Sequence, residues 1–250
     1  MEKQIIIAFI SFSLLAIIGC KQNGEFVKPA DIHWEYENPN WQSEGYGDCA
    51  GKVQTPIDIN TSKTVKADLG DVSFNYSDFA MKIIDNGHTI QVNNSGNSTI
   101  TLNGATFAFK QFHFHHHSEH QINGQKSDME LHLVHADDAT GNITVLGIML
   151  EEGAENPFIT KVWANIPTTK KAEVTTSVTL NLSDILPTDK KYYTYTGSLT
   201  TPPCSQGLQW ILFKEPVQIS KAQAEAFAAL YEDNARPIQP LNNRLVLEKM

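Results

Sequence analysis

The stretch that opens at Gln111 reads Gln-Phe-His-Phe-His-His-His-Ser-Glu-His and holds five of the chain's nine histidines between His113 and His120. Side chains two apart in a β-strand share a face, so Gln111, His113 and His115 project together while Phe112 and Phe114 point the other way, into a core. Two imidazoles ~7 Å apart along one face can converge on a single ion. A third ligand must then come from another strand, and the segment Glu130-Leu131-His132-Leu133-Val134-His135 offers two, on opposite faces. Glu130 favours His132. A metal-bound imidazole normally donates its other N–H to a carboxylate or carbonyl, and a glutamate two residues away on the same face can be that acceptor.

Three neutral imidazoles with no thiolate beside them suit zinc, tetrahedral and with water in the open fourth position, which is the arrangement of a catalytic centre. The competing reading is a looser histidine patch that takes up copper or nickel. His116 and His117 fit no strand-face pattern and are expected at the surface, past the site at the end of the strand.

The rest of the chain supplies a β-rich frame. Alternating or β-branched runs recur at 81–84, 89–93, 98–102, 107–117, 130–135, 143–150, 178–182 and 208–213. Asn86-Gly87, between the first two, is a hairpin signal that makes that pair antiparallel. Helical stretches are few: 220–231, where Ser220 and Gln223 form a capping box, and 157–166. The 250 residues are 41% hydrophobic and 19% charged, enough for a packed core, and no linker or repeat divides residues 31–250. The expected fold is mainly β (α+β), one domain. A net charge of −9 repels phosphate backbones, so nucleic acid is not an expected partner.

Residues 5–18 form an apolar run broken only by Ser11 and Ser13, too short to span a bilayer and of signal-peptide length. It leads through Ala16-Ile17-Ile18-Gly19 into Cys20, which resembles a bacterial lipobox. Residues 1–19 are therefore read as a lipoprotein signal peptide, Cys20 as the lipidated residue and 20–30 as a tether to the membrane. The domain is expected to be exported, on the periplasmic or cell-surface side of a bacterial membrane. An ordinary secretory signal is the alternative, and it exports the domain as well. Cys49 and Cys204 remain, and an exported pair is expected to be bridged.

Several separated motifs together resemble the α-class carbonic anhydrases over nearly the whole length beyond the tether. They are Gln-Thr-Pro-Ile-Asp-Ile from Gln54, Asn-Gly-His from Asn86, Gln-Phe-His-Phe-His from Gln111, Ser-Glu-His from Ser118 and Glu-Leu-His-Leu-Val-His from Glu130. Val-Leu-Gly-Ile from Val145, Thr-Gly-Ser-Leu-Thr-Thr-Pro-Pro from Thr196 and Asn-Ala-Arg-Pro from Asn234 complete the set. The resemblance implies a large twisted, mostly antiparallel sheet of about ten strands with a zinc ion at the floor of a cleft. It implies reversible hydration of carbon dioxide to bicarbonate and a proton, by a hydroxide carried on the zinc.

On this resemblance His113, His115 and His132 are the zinc ligands, Gln111 and Glu130 orient two of them, and the backbone carbonyl of Asn234 orients the third. Thr200 accepts a hydrogen bond from the attacking hydroxide and donates one to Glu119. Thr201 lines the same pocket, and Val134, Val145, Leu199 and Leu208 form the apolar wall for carbon dioxide. His88 matches the family's proton shuttle, suited to it because an imidazole exchanges protons near neutrality. Tyr36 resembles the tyrosine that steadies the connecting waters. Relatives also pair cysteines at positions resembling Cys49 and Cys204. Many bacterial members carry a small residue and proline where His116 and His117 stand, a departure that makes the pocket rim here more basic at low pH or gives it a second metal. Two other functions compete: a noncatalytic binding protein of the same fold, and a metal-buffering lipoprotein. The oligomeric state is left open, a homodimer included.

Overall fold

The computed structural model describes residues 34–250, so the expected signal peptide, Cys20, the tether and the first residues of the expected domain lie outside the described residues. Ten strands lie side by side in the order Glu173–Leu180, Phe79–Asp85, Ile90–Asn93, Ala105–His116, Met129–Ala136, Ile143–Glu152, Gln206–Phe213, Tyr192–Ser198, Leu247–Lys249 and Val65–Ala67. Three more, Ser73–Asn75, Thr99–Leu102 and Val217–Ile219, join off this path to complete a 13-stranded sheet. Most neighbours are antiparallel, but the sheet is mixed. Ile143–Glu152 runs parallel to Gln206–Phe213 and to Val217–Ile219, and Leu247–Lys249 runs parallel to Val65–Ala67.

Alternation explains how the central strands sit. In Ala105–His116 the rings of Phe112 and Phe114 are fully buried, and a register shift between Phe109 and Gln111 turns the fully buried Phe109 to the same side; Leu131 and Leu133 of the neighbouring strand and Leu146, Ile148 and Leu150 of the next are buried as well. They share one hydrophobic core with Phe158, Ile159, Val162 and Phe227, which come from the two helices Pro157–Trp163 and Lys221–Ala228. Each such side chain contributes roughly 1.5–3 kcal/mol by leaving water, so the register that puts the phenylalanines inward is strongly preferred. The opposite face of the same strands is therefore obliged to carry Gln111, His113, His115, Glu130 and His132.

Both helices begin as the sequence indicates. Ser220 and Gln223 cap Lys221–Ala228 reciprocally, and Asn156 accepts from the N–H groups of Phe158 and Ile159 ahead of Pro157. The hairpin at Asn86-Gly87 joins antiparallel strands as expected, but through four residues: Asp85 pairs with Ile90, and Gly87 takes the left-handed conformation at φ 96°. The run expected at 178–182 is part of Glu173–Leu180, which ends before the 3-10 turn Leu182–Ile185. Cys49 and Cys204 form the expected disulfide, with Cα atoms 4.9 Å apart.

Candidate metal centre

His113 and His132 face each other across the antiparallel pair Ala105–His116 and Met129–Ala136, and His115 lies two residues along from His113. Their ring centroids are 5.0 Å (His113 to His115), 5.2 Å (His113 to His132) and 4.6 Å (His115 to His132) apart. Each ring is fixed through one nitrogen. Nδ1 of His113 meets Oε1 of Gln111 at 2.8 Å, Nδ1 of His115 meets the Asn234 carbonyl at 2.8 Å, and Nε2 of His132 meets Oε1 of Glu130 at 2.8 Å. Since carbonyl and carboxylate oxygens only accept, each of those nitrogens carries the proton, and the other presents a lone pair. One ring nitrogen from each of the three lies within 4.8 Å of the other two.

Nε2 of His115 and Nδ1 of His132 are buried with no hydrogen-bond partner. Leaving such an atom unsatisfied costs about 1–3 kcal/mol, a cost that a nitrogen-seeking cation at the point of convergence removes. The three residues fit a divalent metal on that ground. Desolvation by burial, reinforced by the neighbouring imidazoles, pushes His113 well below the usual histidine range; burial likewise lowers His115. Both rings are thus held neutral, the form that binds metal.

Behind the three rings, Glu130 is fully buried and accepts three hydrogen bonds: from His132, from Nδ1 of His120 at 2.7 Å and from the His120 backbone N–H at 2.8 Å. Burial alone would raise its carboxyl, but His120 and His132 outweigh that and hold it well below the usual range. His120 in turn meets the Tyr195 hydroxyl at 2.6 Å, and Trp210 packs on both His120 and His132. His120, Glu130 and His132 also cluster closely enough to suggest a second metal group, but their atoms are spent on each other. Sequence reasoning gave His120 no role; the Ser-Glu-His motif was the available signal.

Glu119, fully buried, accepts the backbone N–H of Arg236 at 2.9 Å and points Oε2 towards His115 Nε2, 3.5 Å away. That Oε2 has no hydrogen-bond partner, so the bond expected from Thr200 is not made here; the oxygen faces His115 Nε2 at 3.5 Å and His132 Nδ1 at 3.9 Å. Thr200 is itself nearly buried in the loop that follows strand Tyr192–Ser198. Val145 and Leu208 are buried in one cluster, with Val134 and Leu199 packed on it, so the expected wall is assembled from three strands and one loop.

The family model described as "Eukaryotic-type carbonic anhydrase" matches residues 36–250. The chain belongs to the α-class carbonic anhydrases. It is 42% identical to a carbonic anhydrase of Klebsiella pneumoniae over 228 residues, 86% of this chain and 91% of that one. Over 233 residues it is 42% identical to one from Nostoc sp., with 90% and 85% covered. Among solved structures, the α-carbonic anhydrase of Thermovibrio ammonificans in complex with sulfanilamide superposes with a TM-score of 0.83 at 44% identity, covering 86% of this chain and 99% of that chain. Carbon dioxide hydration is the activity of this enzyme class.

The carbonic anhydrase cleft continues outward from the metal centre as a cavity of about 110 Å³ lined by residues that include Trp34, Tyr36, His88, Gln91, His113 and Thr201. It joins His88 to His113 with room for water. Tyr36 stands edge-on to both His88 and His115, each centroid 6.5 Å from its own. Desolvation, then the charges of Glu119 and Asp233, raise its phenol well above the usual value, so it stays protonated. Trp34 lies flat on His88, a contact the sequence reading missed although Trp34 adjoins Tyr36 by one residue. The hairpin below is pinned by Asn86, whose Oδ1 accepts from the N–H groups of His88 and Thr89, and by Asp85, which accepts from Gly87 and the Tyr231 hydroxyl. His116 is half-buried, with Nδ1 on the Glu232 carbonyl; His117 is exposed and stacks on it at 4.2 Å.

Proposed function

We propose that this carbonic anhydrase hydrates carbon dioxide at a zinc ion held by His113, His115 and His132, with His88 carrying the released proton outward. The observation that carries the reading is the pair of buried, unpartnered ring nitrogens on His115 and His132, aimed at the same point as His113. When bound, zinc acidifies the water in its open position and so supplies a nucleophile at neutral pH, carbonic anhydrase being the type case of this effect. Gln111, Glu130 and the Asn234 carbonyl keep the three rings in the tautomer that leaves their metal-facing nitrogens bare. Val134, Val145, Leu199 and Leu208 offer an uncharged, weakly hydrogen-bonding substrate an apolar wall, with Thr201 at its edge. The unpaired Oε2 of Glu119 is the acceptor proposed for the Thr200 hydroxyl, which would leave the threonine oxygen free to orient the nucleophile.

Proton release then limits turnover. A donor of near-neutral acidity passes its proton to bulk water at only about 10³ s⁻¹, because the reverse recombination is capped by diffusion. His88, on the rim of the water-sized cavity that reaches His113, is placed to relay it through water steadied by Tyr36.

The apolar run at 5–18 and Cys20 support an exported protein acylated at Cys20, on the periplasmic or cell-surface side of a bacterial membrane. The bridged Cys49 and Cys204 accord with an oxidising compartment.

Stopped-flow carbon dioxide hydration with metal analysis tests the enzyme reading, using the chain without residues 1–20. One tight zinc per chain and a sulfonamide-sensitive rate support it; several weak copper sites with no hydration would make the protein a metal buffer. Incorporation of a palmitate analogue that disappears in Cys20→Ser tests the anchor, and labelling that persists there refutes it.

A further inference from the structure

We propose that the side-chain amide of Asn234 is a positioning device that ties the His88 hairpin to the strand bearing His115, so that the proton carrier keeps its reach to the metal centre. This inference rests on the reading of His88 as the shuttle.

Asn234 is buried, and its backbone already serves the centre: the carbonyl accepts from His115 Nδ1, and the N–H donates to the His116 carbonyl at 2.9 Å. The side chain is engaged separately. Its Nδ2 donates to the carbonyl of His88 at 3.0 Å and to the carbonyl of Phe114 at 3.0 Å, while its Oδ1 accepts from the backbone N–H of His116 at 2.7 Å. Phe114 and His116 are the chain neighbours of His115. One amide thus grips the peptide groups on both sides of a metal ligand and the carbonyl of the proton carrier, which comes from a hairpin far away in the chain.

The chemistry of an amide is specific to this task. Two donors and an acceptor on one short side chain match two carbonyls and one N–H; a carboxylate of the same shape supplies no donor, and a methyl group supplies nothing. His88 is clamped at both ends of its residue, its N–H on Asn86 Oδ1 at 2.9 Å and its carbonyl on Asn234. The first bond lies within the hairpin and fixes its shape. The second reaches outside the hairpin and fixes where it stands. Proton relay through water is sensitive to such placement, since displacements near 1 Å cost catalytic steps as much as about 10²-fold.

The test is stopped-flow hydration by the zinc-loaded enzyme and by Asn234→Asp, Asn234→Ala, His88→Ala and the double variant Asn234→Ala/His88→Ala, at low and at high imidazole buffer. Asn234→Asp keeps the acceptor and the shape but loses both donors. In each Asn234 variant, kcat at low buffer is expected to fall at least about fivefold and clearly further than kcat/KM, and imidazole is expected to restore it. The double variant should be no slower than His88→Ala alone. Equal losses in kcat and kcat/KM with loss of zinc, full kcat at low buffer, or additive losses in the double variant would each overturn the inference. So would failure of both Asn234 variants to fold, which would make the amide a stability element alone. Should His88→Ala by itself keep its full low-buffer rate, the shuttle reading falls and this inference with it, a result distinct from the others.

Discussion

The imidazole of His88 lies flat on the indole of Trp34, ring centroids 3.9 Å apart and planes 8° from parallel. Trp34 in turn meets Tyr36 and Trp41 edge-on, at 5.2 and 5.3 Å, and Trp41 is fully buried. The His88 ring therefore rests on an aromatic stack that is rooted in the interior. A stack of this kind contributes about 0.5–1.5 kcal/mol, enough to set the balance between ring positions without locking the ring. Trp34→Ala should lower the low-buffer maximal rate about threefold, by letting the ring sample positions away from the cavity, and His88→Ala should lower it at least about tenfold. Both should keep zinc and both should respond to added imidazole. Stopped-flow rates against buffer concentration check this, and a His88→Ala rate equal to wild type at low buffer would remove His88 from the mechanism.

Glu130 holds two histidines at once. Its carboxylate accepts from His120 and His132 on Oε1 and from the His120 backbone on Oε2. In Glu130→Gln one of those oxygens becomes an NH₂ that cannot accept, so either the His120 backbone or the pair of rings loses its partner. Where the NH₂ faces the rings, His132 loses its acceptor and takes the other tautomer, which places a proton on the nitrogen that faces His113 and His115. Zinc affinity should weaken about 10- to 100-fold, measured by competition with a chromophoric chelator. An unchanged affinity would show that packing by Trp210 alone holds the ring.

His135, on the core side of the same strand, gives the protein an acid-sensitive element on the face opposite the three-histidine cluster. Its Nε2 meets the Tyr76 hydroxyl at 3.0 Å and its Nδ1 the Leu133 carbonyl at 3.1 Å. Burial lowers it from the ordinary 6.5 to about 3. Above pH 6.5 the ring is neutral whether the chain is folded or not, and no stability is at stake. As the pH falls below 6.5 the unfolded chain binds a proton that the folded one refuses, so stability is lost progressively down to about pH 3. The loss is about 2 kcal/mol at pH 5. Urea unfolding of zinc-free protein at pH 7 and pH 5 should show a difference that is smaller by about that amount in His135→Gln. Equal differences in the two proteins would mean that the ring titrates normally.

The strand Ala105–His116 was legible because its two faces carry opposite chemistry: phenylalanines that must leave water alternate with histidines that need not. Glu130 separated His132 from His135 as an acceptor two residues away on the same face, and the structure puts one ring in the three-histidine cluster and the other in the core. Strand Tyr192–Ser198 escaped because it is buried on both faces between two neighbours, so no alternation marks it. Leu247–Lys249 and Val65–Ala67, three residues each, are too short to show a period. The parallel pairs depend on how the chain crosses the sheet, which local pattern does not encode. His120 was silent for a different reason. Its value lies in Glu130 and Tyr195, ten and 75 residues away, and a histidine among histidines gives no sign of which carboxylate it will meet.

Gly197 shows how closely the loop bearing Thr200 is fitted to the rest. A Cβ there would stand 2.1 Å from Thr55 Oγ1, 2.9 Å from Trp210 Cδ1 and 3.0 Å from Tyr195 Cε2. Thr55 Oγ1 cannot simply retreat, because it accepts the backbone N–H of Ser198 at 3.0 Å and is 3.2 Å from the Tyr195 hydroxyl, the partner of His120. A methyl group at 197 must displace strand Tyr192–Ser198 from the Gln54-Thr55 segment, and with it the loop that begins at Leu199. Gly197→Ala should therefore destabilise the fold by about 1–3 kcal/mol and also slow hydration. The rate should not recover with added imidazole, since the damage lies at the substrate pocket and not along the proton path. Thermal melts read the first effect and buffer-dependent hydration the second; full activity in a destabilised protein would show that the strand absorbs the methyl without passing the shift to Thr200.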